Sequence, residues 1–275
     1  RHLPADSKPG VWWNVKYKNK WLLDGSVVSG NPIFTNILWN EIGRGTDLKE
    51  LEEWLENNKR VVKELSTAVF SSQAPPMTDF FDDSYFDLEK AKRGEQLFNG
   101  MCVKCHGEYV KAWSLSEAHQ LSLTEKLKTI DVMYPENTKV KNVGTDPMRY
   151  MGMSSLMQLN DLAISKKHNI VIQPQKGYVP PPLVGIWIRW PYFHNNSIPN
   201  LCALFTNSSS RPKEFYTGPA NNPDTDFDFE CNGYPLGDKV PRAWKKNKDY
   251  RYDTDRVGMS NKGHYKKLLL YVRRR

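Results

Sequence analysis

Long apolar runs are missing from this 275-residue chain. The two longest candidates, at residues 183–190 and 268–272, fall far short of the roughly 20 residues a membrane-crossing helix needs, and both are flanked by Arg or Lys. No transmembrane segment is predicted. The N-terminus, Arg-His-Leu-Pro, lacks the apolar centre of a signal peptide, so an exported chain would have had that segment removed. Internal repeats and low-complexity tracts are absent too, as are zinc-finger spacing, a helix-turn-helix signature and an aromatic nucleic-acid motif. Nucleic-acid binding is therefore not expected.

What is present describes a globular protein. With 39% hydrophobic and 25% charged residues, nine Trp and thirteen Tyr, the chain can bury a real core, which excludes disorder throughout. The formal charge is +8, with the basic excess gathered at residues 242–248, 262–267 and 273–275. Such an excess is either a solvated basic surface or a means of steering an acidic partner, nucleic acid or anionic lipid, of which a redox partner is the one expected.

Residues 1–40 hold Trp12, Trp13, Trp21 and Trp39 among Gly, Pro and Asn, a patchy pattern that predicts loops and short strands. Asp47 and Glu50 then have capping-box spacing, and Leu48, Leu51, Leu55, Val62, Leu65 and Val69 recur at helical intervals, predicting one helix over about 47–70. Residues 71–83, with Pro75-Pro76 and several acids, read as a linker. The predicted division is an N-terminal extension at 1–80 and a second unit at 81–275. From Asp87, the spacing of Leu88, Ala91, Leu97 and Phe98 predicts a further helix, closed at Asn99-Gly100 by a left-handed cap. Asp146-Pro147 reads as another helix start, with Tyr150, Met153, Leu156 and Met157 on one face. Residues 174–260 are rich in Pro, Gly, Asn and Asp, which predicts long ordered loops.

Directly after the 88–98 helix comes Cys102-Val103-Lys104-Cys105-His106, a complete C-x-x-C-H. Its two thiols can add to the two vinyl groups of haem, and the adjacent imidazole can bind the iron. With four Cys and six His in the chain, chance occurrence is of order 0.001. A zinc half-site would need a second Cys or His pair at suitable spacing, which the sequence does not offer. One covalently bound haem c is therefore expected. Thioether attachment in bacteria takes place outside the cytoplasmic membrane, so the motif also predicts a periplasmic or otherwise extracytoplasmic protein. There, Cys202 and Cys231 are expected to form a disulfide that stabilises the loop-rich stretch by roughly 3 kcal/mol.

The segment Arg93-Gly94-Glu95-Gln96-Leu97-Phe98, followed by Met101, the pentapeptide and Gly107, is similar to the first helix and haem motif of c-type cytochrome domains. More specific are Val143-Gly144-Thr145-Asp146-Pro147-Met148-Arg149, Val179-Pro180-Pro181-Pro182-Leu183-Val184-Gly185-Ile186-Trp187 and Pro191-Tyr192-Phe193-His194-Asn195-Asn196-Ser197-Ile198-Pro199. Later come Arg211-Pro212-Lys213-Glu214-Phe215-Tyr216-Thr217-Gly218, Tyr252-Asp253-Thr254 and Gly258-Met259-Ser260-Asn261-Lys262-Gly263-His264. Together, over about residues 86–270, these resemble the rubber-oxygenase relatives of the bacterial dihaem cytochrome c peroxidases. Those relatives carry two haem motifs, whereas this chain has one, and it resembles their C-terminal half. The resemblance implies a mainly α fold: a cytochrome c-like helical haem domain with long ordered loops, here preceded by a Trp-rich extension. It also implies an electron-relay haem with two axial His, the second supplied by the late Gly-His motif.

Which group closes the sixth position decides between carrier and enzyme. His264 is the first candidate, because Gly263 allows close backbone approach to the porphyrin and the family motif matches there. Met148, Met151, Met153 and Met157 are the runners-up, Met153 and Met148 foremost. His194 is a candidate for the haem surroundings, Arg149 and Arg189 for pairing with haem propionates, and Trp187 and Tyr192 (with Trp190) for coupling to a partner. The reading is a monohaem c-type cytochrome passing single electrons between redox proteins, some of them acidic. Its rivals are a peroxidase- or oxygenase-like haem enzyme with an exchangeable sixth position, in which His194 moves protons, and a haem subunit of a larger redox complex.

Overall fold

The structure, a computed structural model, describes residues 7–264. The basic clusters at residues 265–267 and 273–275 lie outside the described residues. Helices, many of them single turns, make up about 47% of the described residues, among which the only sheets are two two-stranded ones. The fold is helix-dominated without being all-helical.

A short 3-10 turn, Trp12–Tyr17, precedes α1 (Pro32–Arg44). The sequence pattern predicted no helix in this stretch, but its signals are local. The Asn31 side chain accepts from the Ile33 and Phe34 amides, Pro32 occupies the first turn, and Gly45 closes the helix at φ 82°. The single helix predicted over 47–70 is two helices, α2 (Leu48–Asn57) and α3 (Lys59–Ser71). Asn58 separates them at φ −114°, ψ 19°, with its side-chain amide donating to the Trp54 carbonyl at 2.8 Å. Asn competes in this way for helical backbone groups, and hydrophobic periodicity cannot register it.

Leu38, Leu51, Leu55 and Val62 of α1–α3 form one buried cluster with Ile164 and Ile170, while Leu48 and Leu65 stay exposed. Burying each such aliphatic side chain contributes about 1.5–3 kcal/mol. Ile164 and Ile170 lie far beyond the 71–83 linker, so the N-terminal helices share their core with a later segment.

Helix α4 (Leu88–Met101) starts where the Asp87 side chain accepts from the Lys90 amide at 3.0 Å. It does not end in a left-handed cap at Gly100, as the sequence implied, but runs on to Met101 and is followed by the turn α5 (Val103–His106). The glycine with positive φ is Gly107, at 83°, where a Cβ would meet the Met133 carbonyl at 2.7 Å. That close approach joins the turn to the hairpin of β1 (Glu108–Lys111) and β2 (Thr129–Met133), paired antiparallel. None of the residues of α4 or α5 is buried.

The remainder is ordered loop around two small cores. One gathers Tyr192, Ile198 and Ala203; the other gathers Phe215, Tyr252 and Met259 where β3 (Glu214–Tyr216) pairs with β4 (Arg251–Asp253). Cys202 and Cys231 are joined in a disulfide.

Candidate functional site

Cys105 and His106 lie on α5 and Cys102 caps its start, so one turn of chain carries all three. Both thiols are free and half-buried. The His106 ring donates from Nδ1 to the Pro181 carbonyl at 2.8 Å. A carbonyl can only accept, so the proton sits on Nδ1 and Nε2 keeps its lone pair, the form that binds a metal. Burial holds the His106 pKa below the ordinary histidine value, against an opposing pull from that carbonyl.

His264 comes from the far end of the described chain, and its ring centroid lies 6.0 Å from that of His106, with the planes at 70°. Its pKa is lowered to about 4 by burial, then by His106 and Arg211. Both rings are therefore neutral near pH 7. Two metal–nitrogen bonds of about 2.0–2.1 Å each, added to the radii of two five-membered rings, span about 6 Å, so the pair fits one metal ion between them. His264 Nδ1 is also buried without a hydrogen-bond partner. No group of three or more His, Cys, Asp or Glu able to hold a metal exists among the described residues. The groups that could hold a cofactor here are therefore the imidazoles of His106 and His264 and the thiols of Cys102 and Cys105.

The segment bearing His264 is held by buried polar side chains. Asn195, 1% exposed, donates to the Gly258 and Ser260 carbonyls at 3.1 and 3.0 Å. Asn261 donates to the Pro212 carbonyl, and the His264 amide donates to the Val143 carbonyl at 2.9 Å. Arg211, 4% exposed, donates to the Ala203, Leu204, Thr206 and Asn261 carbonyls and lies over the Phe193 ring at 5.4 Å. Phe193 in turn meets His264 edge to face at 6.0 Å. Sequence reasoning gave no role to Arg211, Asn195 or Phe193; the runs containing them were the only signal. Gly263 packs closely on the backbone of Val143, Gly144 and Thr145, where a Cβ would come within 2.6–2.8 Å.

The other sequence candidates have partners of their own. Met153 is fully buried and receives a guanidinium hydrogen bond from Arg149 on its sulfur, while Met151 and Met157 are exposed. Arg189 donates to the Pro9 carbonyl at 2.8 Å. Trp187 donates to the Pro75 carbonyl and packs on Phe80 and Phe81. Tyr192 is a core residue bonded to Asn232. His194 stacks on Tyr178 with centroids 3.9 Å apart, and burial, then Arg149, lowers its pKa to about 4.

The RoxA-like, cytochrome c-like family profile matches residues 177–216. An uncharacterized protein of Sinorhizobium fredii, y4iM, is 26% identical over 225 residues, covering 74% of this chain and 46% of its own length. Another from the same organism, y4iJ, is 36% identical over 93 residues, covering 34% of this chain and 14% of its own. The chain thus spans less than half the length of these curated relatives. The family match leaves out Cys102, Cys105, His106 and His264, but it contains the Pro181 carbonyl, Phe193, His194 and Arg211. Through that stretch the chain resembles the RoxA-like cytochromes c, which indicates a haem-binding, cytochrome c-like domain.

Proposed function

We propose that this protein is an extracytoplasmic monohaem cytochrome c that transfers single electrons between redox proteins. Cys102 and Cys105 hold the haem through thioethers, and His106 and His264 close the two axial positions. The observation that carries this reading is the pair of half-buried, neutral imidazoles 6.0 Å apart beside two free thiols. When bound, the haem supplies a one-electron iron couple. The protein's part is to hold the ligands still: Pro181 orients His106, while Asn195, Asn261 and Arg211 fix the segment that ends in His264. Ligands that keep their positions in both oxidation states make electron exchange cheap, and their hydrogen bonds tune the potential.

An enzyme would need an exchangeable sixth position and a proton acceptor poised near the working pH. His194, the natural suspect, has its pKa lowered to about 4 and its ring stacked on Tyr178. Both features favour the carrier. For partners, the exposed Arg242, Lys245, Lys246 and Lys248 offer a basic patch for an acidic redox protein. The exposed Trp12 and Trp54 suit contact with another subunit of a larger redox complex.

The test is the mass of the intact purified protein. One haem added, and lost in the Cys102→Ser/Cys105→Ser double variant, supports the reading; a polypeptide of unmodified mass overturns it.

A further inference from the structure

Residues 180–184 form a strip that cannot organise itself. Three consecutive prolines, Pro180 to Pro182, have no amide hydrogen and cannot join a ladder, so something else must fix where their carbonyls lie. In this structure, side chains do it at every residue in turn. Tyr134 donates to the Pro180 carbonyl at 2.6 Å, His106 to Pro181 at 2.8 Å and Asn14 to Pro182 at 2.8 Å. The Leu183 amide then donates to the Tyr109 hydroxyl at 2.5 Å, and Trp13 donates to the Val184 carbonyl at 2.9 Å. Tyr109 and Tyr134 belong to the hairpin side of the site, whereas Trp13 and Asn14 belong to the 3-10 turn Trp12–Tyr17 near the N-terminus. Asn14 is itself only 7% exposed. At Gly185 the packing is so close that a Cβ would meet Ala74 at 2.8 Å and the Trp13 ring nitrogen at 3.1 Å.

We infer that Trp13 and Asn14 are positioning residues for the axial imidazole: by gripping the Pro182 and Val184 carbonyls they set where the Pro181 carbonyl sits, and so fix the tautomer, rotation and basicity of His106. The N-terminal segment is then the rear wall of the haem site rather than an appendage. This inference rests on the proposed haem ligation. Loosening the strip weakens the bond from His106 Nδ1, which makes the imidazole a poorer donor to ferric iron and raises the reduction potential.

The experiment uses the full haem-loaded protein and three variants. Trp13→Phe keeps the ring and loses only the N–H, Asn14→Leu keeps approximate volume and loses the amide, and Lys16→Met is the control. Lys16 lies in the same turn but donates to the Ser72 carbonyl instead of the strip. The expected result is a rise in midpoint potential in Trp13→Phe and Asn14→Leu, equivalent to about a threefold shift of the one-electron equilibrium or ~28 mV. Altered g-values in the ferric spectrum accompany it, and Lys16→Met shows neither change. Lowered melting temperatures in all three variants with potentials and g-values unmoved would overturn the inference while leaving the haem assignment intact. A protein that carries no haem would fail the proposed function instead, which the mass measurement detects separately.

Discussion

Helices α1–α3 and the α4–α5 limb are both amphipathic, yet they are held in different ways. The first group is held by an aliphatic cluster: Leu38, Leu51, Leu55 and Val62 meet Ile164 and Ile170. The second has no buried residue of its own, and its fixed points are polar, from the Asp87 cap to the bond between His106 and the Pro181 carbonyl. An aliphatic core needs only hydrophobic patterning and tolerates irregular joins such as Asn58. A limb that offers two thiols and an imidazole is set by clamps arriving from distant parts of the chain. The comparison separates what stabilises this molecule from what orients its chemistry.

That separation can be broken by substitution. Leu55→Ala removes a side chain that is 1% exposed and should cost about 2–5 kcal/mol in urea unfolding, with the midpoint potential of the haem-loaded protein unchanged. A shift in potential would mean that the two regions are energetically one. Cys202→Ser with Cys231→Ser opens a link spanning 29 residues and should cost about 3 kcal/mol by the chain-entropy argument. Its effect should reach the His264 ligation, because Arg211 ties the Cys202 helix carbonyls to Asn261. Smaller still, Asp47→Ala removes the α2 cap and should cost about 0.5–2 kcal/mol, again with no optical change.

Acidification tests the loop region. The folded pKa of His194 is depressed to about 4, so below the ordinary histidine value the unfolded chain binds the extra proton first. The stabilising contribution is complete above about pH 6.5 and is lost as pH falls toward about 4. His194→Gln should flatten the pH dependence of the melting temperature across that window; an unchanged slope would show that other groups govern it.

The sequence made some of this legible and not the rest, for physical reasons. Periodicity exposed the residues of α2 and α3 because core contacts repeat every three or four positions, but it was blind to Asn58, whose effect is a single side-chain hydrogen bond. The C-x-x-C-H pentapeptide was readable because its chemistry is confined to five neighbours. His264 was reachable only through the motif around it, since nothing local relates it to a histidine 158 positions earlier. Asn14 left no trace, and Asn195 and Arg211 only the runs that contain them: each reaches at least one carbonyl 50 or more residues away, a pairing that no local period records. Gly100 shows the same limit, since composition marks a flexible position without saying whether the helix stops there.

The central claim, two protein imidazoles on one iron, is tested most directly by the low-temperature electron paramagnetic resonance spectrum of the ferric protein beside that of His264→Ala. The account predicts a low-spin signal in the parent protein that gives way to a high-spin one in the variant. A high-spin parent, or a variant whose low-spin signal is unaltered, would contradict it.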